Sequence, residues 1–202
     1  IKLKIMKKLM LVGALALFAA VNAQVSTSTE GFAQGSTFIT GAVGFASESI
    51  AEEKTSEFTI APSVGYFVTP NIAIGAKLGY TSLKNEEGSY EETTDLLTAG
   101  VFGRYYWMPA SKFSIFAELG ADYRSLTEDD NTISNEYKSN GFAIQLAPGM
   151  NYFLNNNFAL EAKVGVLGYS SDKPDYTGAE ATDNFNIGLN LNDITLGLVY
   201  KF

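Results

Sequence analysis

Apolar side chains recur at every second position in eight segments of this chain, and no segment shows a convincing helical period of 3.6 residues. The eight segments are residues 36–46, 57–68, 71–83, 95–107, 112–126, 141–154, 157–169 and 186–202. Each is at least as long as the roughly 9 to 11 residues that a tilted strand needs to cross a bilayer. The alternation therefore predicts an all-β protein built from eight long strands.

The connections between these segments alternate between short and long. The short ones contain "TPN", "MPAS" and "NNN", in which proline fixes φ and asparagine tolerates a left-handed backbone. The long ones fall at 46–57, 84–95, 127–140 and 170–184, and together they hold 17 acidic residues and 4 lysines. This pattern predicts an antiparallel up-and-down sheet with tight turns at one end and four acidic loops at the other.

The two faces of the predicted strands differ in chemistry, because successive side chains point to opposite sides of a sheet. One face is apolar and almost free of charge; in the last segment it comprises Ile194, Leu196, Leu198, Tyr200 and Phe202. The other face mixes small residues with charges of both signs. An inward apolar face would give a soluble, lipocalin-like barrel with an oddly bare outer surface. An outward apolar face gives a transmembrane barrel with aromatic residues at the strand ends, which we favour.

In the transmembrane interpretation, charged side chains lie in the lumen of a narrow barrel. Isolated charges there would each cost several kcal/mol, so they are expected in compensating sets. The inward charges are Lys77, Arg104, Glu118, Asp122, Arg124, Glu161, Lys163, Asp193 and Lys201. We predict an ion-pair network, with Arg104, Glu118, Glu161 and Lys163 near its middle, that fills the lumen and prevents an open pore.

The N-terminal region has the three parts of a secretory signal peptide. In "MKKLMLVGALALFAAVNAQ", two lysines precede an apolar run, and Ala23 precedes Gln24 at a suitable cleavage point. Residues 1–5 are interpreted as upstream sequence, 6–23 as the signal peptide, 24–35 as a periplasmic N-terminal segment and 36–202 as the barrel. Cleavage removes four lysines, so that 10 basic residues face 22 acidic ones, a net charge of −12.

Several classes of function are disfavoured by composition. The negative charge disfavours nucleic acid as a partner, and an exported chain without cysteine is not a disulfide-stapled scaffold. Without histidine or cysteine, a Ser-His-Asp or thiol-based catalytic site is not available. Glu118 and Glu161 could form an acid-base pair, but their basic neighbours favour structural ion pairs. No enzymatic activity, metal site or cofactor is therefore expected.

The signal-like segment, the eight alternating segments, the hairpin "PSVGYFVTPNIAIGAKLGY" and the terminal "LGLVYKF" resemble the small outer-membrane β-barrel proteins of the OmpA/OmpX-like, opacity-type group. The resemblance implies an eight-stranded antiparallel barrel in the cell outer membrane, with short periplasmic turns, long extracellular loops, and contact with outer-membrane lipid and lipopolysaccharide. It also implies that Leu196, Leu198, Tyr200 and Phe202 form a C-terminal signal read by the barrel-assembly machinery.

Three functions remain open from the sequence. The first is a structural, adhesive or surface-interaction role carried by the four acidic loops, whose partner the sequence does not identify. The second is a small outer-membrane porin or transporter, and the third is a secreted soluble lipid-binding barrel. In either membrane reading, the last strand must close against the first near Phe38 to Phe45, because an open edge in lipid leaves unpaired backbone groups.

Overall fold

The computed structural model describes residues 30–50, 53–88, 90–130, 137–189 and 194–202. These residues form ten β-strands in one sheet. The strands are β1 (Thr37–Ile50), β2 (Glu53–Phe67), β3 (Ile72–Glu87), β4 (Tyr90–Tyr106), β5 (Phe113–Asp130), β6 (Tyr137–Phe153), β7 (Phe158–Val164), β8 (Leu167–Pro174), β9 (Thr182–Ile187) and β10 (Ile194–Lys201). Within these ranges no helix is long and apolar enough to cross a membrane. The predicted signal peptide, with its cleavage between Ala23 and Gln24, lies outside the described residues.

The sheet is a closed antiparallel barrel with eight strand positions. β7 and β8 together form the seventh position, since both pair with β6, and β9 and β10 form the eighth. The last strand closes on the first through a register that runs from Phe38↔Lys201 to Gly41↔Leu198. The predicted fold is confirmed. The last strand closes against the first as predicted, but the paired part covers Phe38–Gly41 and does not extend to Phe45.

Pro148 lies on β6 opposite the interruption between β7 and β8. β6 pairs with β7 as far as Gly149↔Lys163 and resumes with β8 at Leu146↔Leu167, which leaves one extra residue in the seventh strand. Proline has no N–H to donate to the ladder, so it is tolerated where a bulge already breaks the pairing. The chain returns to register when Val166 donates its N–H to the Leu146 carbonyl, at 3.0 Å.

The segments predicted as long loops are for the most part paired strands. β3 and β4 stay in register to Glu87↔Tyr90, and β4 and β5 to Glu92↔Asp130. β2 to β6 run for 15 to 18 residues, more than a bilayer requires. Outside the membrane both faces of a strand meet water, so strands can stay paired there without alternating apolar side chains. The four extracellular connections are therefore hairpins, formed by β1–β2, β3–β4, β5–β6 and β8–β9.

The apolar face points outward. In β5, Phe113, Ile115, Leu119 and Tyr123 are exposed on the barrel wall, while Ser114, Phe116 and Glu118 are buried inside. Outward aromatic residues form two girdles, one near the short turns and one near the hairpins. The first contains Tyr66, Tyr105, Trp107, Tyr152 and Tyr200, and the second contains Phe58, Tyr123 and Phe142. The soluble, lipocalin-like alternative required the alternating apolar face of the strands to point inward, and in the structure this face points outward.

Candidate functional site

Arg104 lies at the centre of the lumen and joins strands on opposite sides of it. Its Nε donates to Glu118 Oε2 at 2.6 Å, on the neighbouring strand β5. Its two terminal nitrogens donate to the carboxylate of Glu161 on β7 at 2.7 and 3.0 Å. Arg104 and Glu118 are each only 2% exposed, so the cluster is shielded from water. The rigid fork of a guanidinium suits such bidentate pairing better than the point charge of a lysine.

Further contacts complete this central cluster, which we define as Arg104, Glu118, Glu161 and Lys163. Lys163 Nζ donates to Glu118 Oε1 at 2.8 Å, so two acids face two bases. Asn151 donates its side-chain N–H to Glu161 at 3.0 Å. The Arg104 guanidinium also stands over the Phe116 ring, 4.3 Å from its centroid. A buried charge set is stable only when its members are paired and hydrogen-bonded, as they are here.

The other inward charges do not join the central cluster. Lys77 pairs with Asp122 at 2.9 Å, and Arg124 pairs with Asp172 at 3.4 Å, both nearer the extracellular end. Lys201 lies at the periplasmic end and donates to the Gly31 carbonyl at 2.6 Å. Asp193 falls outside the described residues. The residues proposed from sequence as one network are therefore distributed over at least three levels of the lumen.

Beneath the central cluster lies a layer of buried aromatic rings. Phe32, from the segment before the first strand, stacks on Phe67 with ring centroids 4.8 Å apart, and meets Phe153 edge-on at 4.9 Å. Tyr106 lies 5.0 Å from Phe67. Phe38 and Phe116 extend the layer, and all six rings are at most 2% exposed. Aromatic pairs at these distances add about 0.5–1.5 kcal/mol each beyond the area they bury.

The segment Glu30–Ser36, which we call the periplasmic cap, is held against the turns of the barrel. Phe32 donates its N–H to the Pro109 carbonyl at 2.6 Å, and Gly35 donates to the Phe67 carbonyl at 2.9 Å. Gln34 donates its side-chain N–H to the Val68 carbonyl at 3.2 Å. Gly31 has φ of 92°, and a Cβ there would lie 2.4 Å from the Ala110 backbone, so only glycine fits.

The sequence interpretation missed Phe32 and the aromatic layer. A single phenylalanine in a polar stretch has no periodicity to mark it. The inward rings did leave a signal, since three strands end in aromatic doublets, Tyr66-Phe67, Tyr105-Tyr106 and Tyr152-Phe153. In each doublet the first ring is outward and the second is buried. Paired aromatics at the periplasmic ends of strands thus mark a girdle and an internal layer together.

The extracellular hairpins bring acidic residues together across the strands. Glu53 faces Glu87, and Glu92 faces Asp130. Like charges directly opposite each other destabilise a strand pair, so other groups must separate them. Tyr90 does this by donating from its hydroxyl towards Asp130 at 3.1 Å and Glu92 at 3.2 Å, and these bonds, that to Asp130 first, raise the pKa of Tyr90 to about 12. The hairpins are therefore ordered acidic structures, at least over their described residues.

Comparison with solved structures gives the same architecture. The outer membrane protein OprG from Pseudomonas aeruginosa is 15% identical, with a TM-score of 0.56 over 86% of this chain and 99% of that chain. Neisserial surface protein A (NspA) is 15% identical, with a TM-score of 0.50 over 84% of this chain and 100% of that one. At this identity the likeness concerns the fold alone. A search of curated proteins found no match.

The family model described as "Outer membrane protein beta-barrel domain" matches residues 11–202, which is nearly the whole chain. Membership agrees with the outward apolar face, the two aromatic girdles and the closed strand ladder. It places the barrel as an integral protein of the outer membrane, surrounded by that membrane's lipid and lipopolysaccharide. The chain belongs to the outer membrane protein β-barrel domain family.

Proposed function

We propose that this protein has a structural or adhesive role at the cell surface, carried by its four acidic hairpins, and that it is not an open pore. The observation that supports the proposal is that large side chains are buried at two successive levels of the lumen. The central cluster occupies one level and the aromatic layer with Phe32 occupies the next. The interior of an eight-stranded barrel is narrow enough for side chains to block it where large ones point inward. The extracellular hairpins are then the part of the barrel that is available for binding at the cell surface.

The charge of the hairpins indicates what kind of surface they would contact. Carboxylates stand in opposing pairs along the strand edges, and Lys84 contacts only part of them, reaching Glu91 at 3.0 Å and Glu86. An extended acidic edge of this kind attracts positively charged surfaces and speeds their encounter. The proposal therefore specifies a basic partner surface, and no catalytic role is part of it.

Neutralising one hairpin should weaken binding to a polycation. We expect the variant Glu86→Gln/Glu91→Gln/Glu92→Gln, in nanodiscs, to bind immobilised polylysine more weakly than the wild type. Binding by the wild type should also fall as ionic strength rises, because salt screens exposed charges beyond about 10 Å at 0.1 M. Glu30→Gln, at the periplasmic end, is the matched control and should bind normally. Equal binding by the two variants, or binding that ignores salt, contradicts the proposal.

Conductance measurements distinguish the proposed filled lumen from the alternative, a small porin. We expect the purified protein in planar bilayers to give no stable, large conductance steps, because the central cluster and the aromatic layer cross the path of any ion. An established porin recorded under the same conditions supplies the positive control. Stable large steps from the wild-type protein would overturn the filled-lumen proposal and favour the porin.

We also propose that Leu196, Leu198, Tyr200 and Phe202 act as the assembly signal for the barrel-assembly machinery. Phe202 donates its N–H to the Thr37 carbonyl at 3.0 Å, and its ring meets Tyr200 edge-on at 4.8 Å, so the residue lies on the closing seam. Deleting Phe202 should lower the amount of heat-modifiable protein in outer membranes more than it lowers total expression, both read from immunoblots. Phe158→Ala, on the adjacent strand, is the control. A parallel fall in both quantities would remove support for an assembly signal.

A further inference from the structure

The seam between the first and last strands is paired only near its periplasmic end. The β1–β10 ladder covers four residue pairs and ends at Gly41↔Leu198. In the same register, Val43–Phe45 would face Ile194–Leu196, and all of these residues are described. No ladder joins them there, although β1 remains paired with β2 and β10 with β7. We call the space between these two three-residue edges the lateral opening.

The exposure of the side chains on the two edges agrees with a separation of β1 from β10 at this level. Of the four outward apolar side chains on these edges, Val43, Phe45 and Leu196 are 72%, 76% and 70% exposed, and Ile194 is 45% exposed. The most exposed outward apolar side chain on β2 to β6, strands that are flanked on both sides, is Val101 at 61%. An outward side chain is more exposed where a neighbouring strand moves away or carries a small residue, and Val101 lies between Ala76 and Ala121. The high exposure of Val43, Phe45 and Leu196 therefore agrees with the missing β1–β10 pairing at this level of the seam.

The lateral opening lies at the level of the membrane. Phe45 stands directly opposite Phe58, a member of the extracellular aromatic girdle, and the outward residues of β10 below it are apolar. In hydrocarbon, each unpaired backbone group costs several kcal/mol. The unpaired N–H and C=O groups of the two edges therefore need polar partners at a depth where the membrane supplies few.

The lumen behind the lateral opening is polar. Gly44 faces inward and lies opposite Thr59, whose hydroxyl is 3.0 Å from the hydroxyl of Thr81. The ion pair of Arg124 and Asp172 lies in the same extracellular half and is partly exposed. The opening thus connects an apolar exterior, with Val43 and Leu196, to a hydrogen-bonding interior. An amphipathic molecule matches both environments at once.

We propose that the lateral opening binds a lipid of the surrounding membrane, with its polar head group inside the lumen and its alkyl chain outside. The head group bonds the unpaired backbone groups of the two edges and the hydroxyls of Thr59 and Thr81. The chain packs on Val43, Phe45 and Leu196. Binding is non-covalent, and it is independent of the surface role proposed above.

The test uses a lipid that reports the position of its head group. The wild-type protein is placed in phosphatidylcholine vesicles that contain a minor fraction of phosphatidylethanolamine with a photoreactive diazirine on the head group. Irradiation should label lumenal peptides that contain Thr59 and Thr81. The same diazirine on a soluble head group without chains should not label them. Equal labelling by the soluble compound would mean entry from the extracellular mouth and would overturn the lateral site.

A pair of glycines supplies matched variants. A Cβ at Gly44 meets only the Thr59 side chain, at 3.7 Å, and a Cβ at Gly103 meets nothing within 4 Å. Gly44→Trp fills the inner side of the lateral opening, whereas Gly103→Trp adds the same ring to the outer wall of β4. We expect lumenal labelling to be lost in the first variant and retained in the second, with heat-modifiable migration confirming that both are folded. Unchanged labelling in Gly44→Trp, or no lumenal labelling of the wild type, refutes the proposal.

Discussion

Replacing Arg104 with alanine is expected to destabilise the barrel by about 3–5 kcal/mol, the range for removing one partner of a buried ion pair. The carboxylates of Glu118 and Glu161 would lose the guanidinium that holds both, at 2.6 and 2.7 Å. Lys163 would remain beside Glu118, but Glu161 would keep only weaker, uncharged partners such as Asn151. The change can be measured as a lower urea midpoint for loss of the compact, heat-modifiable species in detergent micelles.

Two further variants separate the ion-pair effect from the loss of a large side chain. Arg124→Met breaks a partly exposed pair with Asp172, and such pairs contribute about 0–1 kcal/mol. Arg104→Met/Glu118→Gln/Glu161→Gln/Lys163→Met removes all four charges of the central cluster together, and we expect it to be more stable than Arg104→Ala. If Arg104→Ala unfolded at the same urea concentration as Arg124→Met, the central cluster would not be the main polar support of the lumen.

Replacing Phe32 with alanine is expected to cost about 3 kcal/mol, the lower end of the range for truncating a buried phenylalanine. The ring contacts Phe38, Phe67, Tyr106 and Phe153, so its removal leaves a cavity beneath the central cluster. The rest of the periplasmic cap should then bind the barrel less tightly. Urea midpoints, together with the rate at which a protease cuts within residues 30–36, measure both effects.

Gln34→Ala is the matched control for this second prediction. It lies in the same cap, is exposed, and loses only the hydrogen bond to the Val68 carbonyl. We expect its urea midpoint to stay close to that of the wild type, since one exposed hydrogen bond contributes about 1 kcal/mol or less. Equal effects from the two variants would mean that the cap acts through its backbone and that the Phe32 ring adds nothing.

The barrel itself was predictable because membrane and lumen impose opposite chemistry on alternating residues. The pattern in Ile194, Leu196, Leu198 and Tyr200 fixes which side faces lipid, and the same parity puts Arg104 and Glu118 inside. Once inside, a charge must find an opposite one, so pairing among the inward charges was a sound expectation. The alternation does not indicate how far along the barrel axis an inward residue lies. For that reason it grouped Lys201 with Arg104, although Lys201 lies at the periplasmic end.

Features that do not depend on the alternation between lipid-facing and lumen-facing residues were not predictable from the sequence pattern. The hairpins continue the strands with residues such as Glu92 and Asp130, which pair through their backbones and leave no apolar period. The break near Pro148 depends on how β6 meets its partner, which is a non-local property. Phe32 acts through contacts with residues far along the chain, so its neighbours in sequence do not reveal its place.

The periplasmic cap also constrains the order in which the chain can fold. Lys201 Nζ bonds the Gly31 carbonyl across 170 positions of sequence, and the Phe32 ring needs surfaces from β2, β4 and β6 at once. Contacts between distant residues form only after the loop-closure entropy between them has been overcome. The cap can therefore be complete only when β10 has reached β1. The time at which residues 30–36 become protected from protease would therefore report when β10 has paired with β1 during barrel assembly.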